Sequence, residues 1–192
     1  MFERIKFLVQ ARKVFFSWGG NPRRASFNEV IVSAPVLTAM SLSENSSIFS
    51  NKYVCADAVL IAVTYAGYHL EEAGAPQEMI IDLLAKTRFA IKDIFKIDES
   101  EAKELVQDRF VRFSMLLSEN TNDVKPMIKE AQLLFAHDLH HDKYVEFGWD
   151  SPVVLVGFDK QFLIQSDTTR FFANAMPSIM ETLDSYFSLN NK

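Results

Sequence analysis

A chain of 192 residues that is 48% hydrophobic, with 17 phenylalanines, fits one domain with a ring-filled core and excludes disorder as its default state. Its net charge of −5 is unevenly spread: residues 1–24 hold six basic side chains against Glu3 alone, net +5, leaving −10 for the rest. An acidic body argues against nucleic-acid binding, and the lone Cys55 excludes an internal disulfide.

The spacing predicts a first helix over residues 2–18. Phe2, Ile5, Leu8, Val9, Phe15 and Phe16 form a wide apolar face beside a narrow stripe containing Lys6 and Lys13. Such a helix docks on a core, or lies in a membrane interface as a peripheral anchor through residues 1–24. Docking is the favoured reading. Charges interrupt any apolar run that a signal peptide would need, so a cytoplasmic protein is expected.

Ser26 and Glu29 have capping-box spacing, so a second helix starts near Phe27. Pro35 is expected to interrupt it or to begin another short helix ending near Leu42. Ser43 to Ser47 form a polar connector.

The central helix is expected over residues 48–73. Ser50, Asp57, Thr64 and Glu71 recur every seven residues and draw one polar line on an otherwise apolar cylinder. Ala58, Ala62 and Ala66 make a row over which a neighbouring helix can approach closely. The run is short for a membrane span of about 20 residues, and Asp57 would cost about 2.5–3.5 kcal/mol at a bilayer centre. A buried core helix is the expectation, with no transmembrane span.

Gly74 is placed as a helix stop and Pro76 as the start of helix 76–97, whose stripe is Ile80, Leu83, Leu84, Ile91, Ile94 and Phe95. Asp98 and Glu101 open helix 99–118, and Arg109 falls in the middle of its apolar stripe. Helix 124–142 follows. Residues 144–165 change character and read either as a small β-ribbon, with Gln161 to Gln165 as a returning arm, or as a short buried helix. A final helical section is expected from Thr168 to Leu189, kinked or split at Pro177. The fold class is therefore all-α: a single domain of six or seven helices around helix 48–73.

Two sites carry chemistry. His137 and His141 are four apart on one helix face, where they can share a Zn or Fe ion with Glu130 or Asp138; His69 is a candidate ligand from another element. Asp142 and His140 belong to the same cluster. Arg109 must either pair or reach a pocket. Asp57 is its natural partner and Asp138 a second, while Arg112 one turn on would join it in an anion site. The chain has no glycine-rich phosphate loop, CxxC pair, GxSxG or HExxH. The leading expectation is a non-enzymatic interaction domain (an adaptor, inhibitor or immunity-like binder) with a protein partner or a second copy, and no cofactor. A metal-binding helical hydrolase or oxygenase using His137 and His141 is the alternative.

Overall fold

The computed structural model describes residues 26–45, 47–120, 123–141 and 158–190. The expected helix 2–18, and with it the basic segment 1–24, lies outside the described residues. So do residues 144–157, where the first part of the β-ribbon was expected.

Among the described residues, six α-helices and one 3-10 turn make up an all-α bundle: α1 (Phe27–Ser43), the turn Ile48–Ser50, α2 (Lys52–Glu72), α3 (Gln77–Phe95), α4 (Glu99–Glu119), α5 (Val124–His141) and α6 (Phe158–Asn190). Among the described residues there is no strand. Helix α2 sits in the middle and packs against all five of the others. Fifteen of its residues are buried, Ala58, Ala62 and Ala66 among them. It is long and apolar enough to cross a membrane, yet 89% of its apolar window is buried inside the bundle. Surrounding helices, rather than lipid, satisfy its apolar surface.

Local chemistry sets the boundaries. Ser26 N–H donates to Glu29 Oε2 at 2.6 Å and Glu29 N–H donates back to Ser26 Oγ, closing the capping box of α1. Helix α2 ends in a Schellman turn: Gly74, at φ 75°, donates to Glu71 O and Ala75 N–H to Leu70 O. Asp98 caps α4 through Ser100 N–H, and Lys96 in the left-handed region closes the short α3–α4 hairpin. Two helices joined this tightly run antiparallel.

Three expectations are corrected. Pro35 lies inside a continuous α1, because Ile31 and Val32 before it and Val36, Ala39 and Met40 after it are all buried. That shared burial outweighs the roughly 3 kcal/mol cost of an internal proline. The central element begins as a separate 3-10 turn, since Asn51 is extended and caps α2 by accepting from Tyr53 N–H. Asp167 on α6 fastens this turn by accepting from Ile48 N–H at 3.1 Å. Finally, Gln161 to Gln165 are helical. The buried positions Ile164, Thr168, Phe171, Phe172 and Ala175 follow one helical face, so α6 starts before Thr168 and runs through Pro177.

Gly67 on α2 packs tightly beneath the Phe110 ring of α4. A Cβ there would lie 2.8 Å from Phe110 Cε2. Gly67→Ala should therefore lower stability by about 1–3 kcal/mol through overpacking. The loss should shrink when combined with Phe110→Leu. Urea denaturation of the single and double variants measures the coupling.

Candidate functional site

The first site is a buried charge cluster. Arg109 stands one helical turn before Phe113 and one after Leu105 on the inner face of α4, which leaves its guanidinium no route to water. Its side chain and that of Asp57 are both 0% exposed. The structure brings the two together in a forked contact: Nε donates to Asp57 Oδ1 at 2.9 Å and Nη2 to Oδ2 at 3.3 Å. Arg109 Nη1 also donates to Asp108, which in turn accepts from Arg112 Nε at 2.6 Å. Arg112 thus meets Arg109 through a shared carboxylate.

Asp138, on α5, is the third fully buried member. Neither of its carboxylate oxygens has a donor in reach when ionised. Burial first, then the negative charge of Asp57, raises its pKa well above the usual carboxylate range, against the opposing pull of Arg109. Once protonated it donates a hydrogen bond to Asp57. With that proton, the five groups Asp57, Arg109, Asp108, Arg112 and Asp138 sum to zero charge. Since Asp57, Arg109 and Asp138 are sealed from solvent, the cluster ties α2, α4 and α5 together rather than facing a ligand.

The histidine cluster is placed differently. His137 is buried and His140 exposed, while the side chain of His141 lies outside the described residues, as does Asp142. Glu130 is half-buried, and burial raises its pKa despite Lys129. His69 packs edge-on against Tyr65, with ring centroids 4.4 Å apart. Its Nε2 is buried without a hydrogen-bond partner, and burial lowers its pKa against the effect of Glu72. Asp57 touches Asp138, and His69 is twelve residues further along α2, a rise of about 18 Å. His69 is therefore remote from Asp138 and its neighbour His137. Among the described residues no three His, Cys, Asp or Glu side chains converge as metal ligands. The Cys55 thiol donates to Phe49 O at 2.9 Å, and burial pushes its pKa upward, so it is inert as a nucleophile.

No family model matches this chain, and no curated protein or solved structure matches it.

The second site went unnoticed in the sequence. An open groove of about 380 Å³ runs between α3 and α4. Leu84, Val106 and Phe110 line it, flanked by Ile81 and Val111. Ile81 is 59% exposed and Val111 52%, and Met115, one turn beyond Val111, is 52% exposed. Two charged side chains line the groove, Arg88 and Lys103, and both are cations. The available signal was that Ile81 and Val111 fall off the buried stripes of their helices.

Two predictions follow the buried cluster. Arg109→Met should cost about 3–5 kcal/mol, since it strands the Asp57 charge in the core. The Asp57→Leu, Arg109→Met double variant should be more stable than either single one, as read by chemical denaturation. The second concerns pH. A carboxyl whose folded pKa is raised binds its proton more tightly folded than unfolded. Its contribution is complete below about pH 4 and is lost as pH rises through the folded value. Asp138→Asn keeps the donor to Asp57 without a titrating proton. The variant should gain stability over wild type as pH rises from 5 to 8, in Tm measured across that range.

Proposed function

We propose that this chain is a non-enzymatic interaction domain that docks a partner protein in the groove between α3 and α4. One observation carries the reading: apolar side chains more than half exposed flank an apolar groove on two neighbouring helices. Apolar surface concentrated in a concave place is what helix-in-groove recognition uses. The closed state of the Asp57–Arg109–Asp138 cluster adds support. Its charged groups are consumed in holding helices together, so the reading rests on the groove rather than on that cluster.

The test places a photo-crosslinking amino acid at Val111 in the full chain expressed in its own cells, with an equivalent probe at exposed Glu119 as control. A discrete adduct specific to Val111 and lost on adding Ile81→Glu supports the reading. Equal labelling from both positions, or none from Val111, overturns it. Ile81→Glu should leave the Tm within about 2 °C of wild type, because its side chain is largely in water.

A further inference from the structure

We infer that the occupant of the α3–α4 groove is an amphipathic helix of a partner protein whose apolar stripe continues into carboxylates at one end. This rests on the docking reading above and specifies the partner's chemistry.

The geometry of the groove is directional. Helices α3 and α4 form an antiparallel hairpin, so Ile81 and Val111 lie towards its open end. Arg88 and Lys103 lie towards the 96–98 turn. Glu99, the first residue of α4, confirms that register by contacting Lys92 at 2.5 Å and Arg88 at 3.6 Å. Lys103 is one turn further on. The lining residues run from Ile81 to Arg88 on α3 and from Lys103 to Val111 on α4. These spans rise about 10 and 12 Å, the length of two helical turns. A bound helix would therefore bury residues at i, i+3 or i+4, and i+7, with its acidic residues beside the turn.

Charge decides between an acidic and a basic occupant. Residues 25–192 carry −10, so a cation-only lining is a local reversal of sign. Three of the flanking carboxylates are already engaged: Asp82 with Lys86, Glu99 with Lys92, and Asp108 with Arg112. Arg88 reaches Glu99 only at the longer distance, and Glu99 is held more closely by Lys92. A partner carboxylate can draw Arg88 away at little cost. Acidic residues elsewhere on the body oppose approach weakly, because salt screens charges beyond about 8 Å at physiological ionic strength.

The test measures fluorescence anisotropy of two stapled helical peptides of about 16 residues, long enough to hold a helix. Both carry Leu at i, i+4 and i+7; one ends in Glu residues and the other in Lys at the same positions. The full chain should bind the acidic peptide at least ten-fold more tightly than the basic one, and Val111→Glu should abolish binding. Arg88→Glu with Lys103→Glu should invert the preference. Equal affinity for both peptides, an unchanged preference in the charge-reversed variant, or no binding of the acidic peptide overturns the inference. A Val111 crosslink that persists alongside such a result leaves the docking reading standing, so the two failures are separable. Self-association of the chain in sedimentation, with peptide unable to compete, also overturns it in favour of a second copy.

Discussion

The contact on which this bundle depends is the forked pair between Arg109 and Asp57. Both side chains are wholly removed from water, which costs several kcal/mol per ion before any attraction is counted. The attraction between them, with the added bonds to Asp108, offsets that cost but leaves little surplus. Its consequence is specificity. Apolar side chains on α2 and α4 could pack in several registers, since leucine, valine and alanine tolerate neighbours of similar size. A guanidinium that must meet one carboxylate admits a single register. Asp138 extends the same demand to α5, because its protonated carboxyl has Asp57 to donate to.

That register determines what α4 shows to the outside. With Arg109 pointing at α2, Val111 is two residues on, about 200° round the helix, and faces water. Phe110 lies between these directions. Its ring touches the site where Gly67 lacks a Cβ, and its other side lines the α3–α4 groove. The core and the groove are thus joined through one aromatic ring. Anything that alters the spacing of α2 and α4 will move that ring and reshape the groove.

The sequence made local decisions legible and distant ones only in part. Ser26 with Glu29, Gly74 and Asp98 each act within a few residues, and each sits at the helix end its chemistry suggests. Arg109 was conspicuous because a charge interrupted an apolar stripe, and Asp57 because it broke an apolar run. Asp138 stood out both as a candidate metal ligand and as a second partner for Arg109, but its contact with Asp57, across 81 positions of chain, was not foreseen. Asp167, which accepts from Ile48 N–H across 119 positions, and Asn28, which donates to Asp82 on α3, gave no signal at all. A backbone donor elsewhere in the chain leaves no mark near the residue that satisfies it. Pro35 misled for the opposite reason: its local cost is plain in sequence, while the burial that outweighs it is a property of the assembled bundle.

The groove poses the sharpest question of energetics. Ile81 and Val111 are β-branched residues at exposed positions inside helices, where they lose side-chain freedom relative to alanine or lysine. Each costs a few tenths of a kcal/mol in helix propensity. Their exposed atoms also return little from burial, since the hydrophobic term scales with the area removed from water. Folding therefore favours a polar straight-chain residue at both sites. Met115, one turn beyond Val111, is an unbranched residue with no such propensity cost, but its exposed atoms likewise return little from burial. Ile81 and Val111, which contribute so little to the free monomer and line a groove whose charges share a sign, are the positions that the proposed docking of a second helix would remove from water.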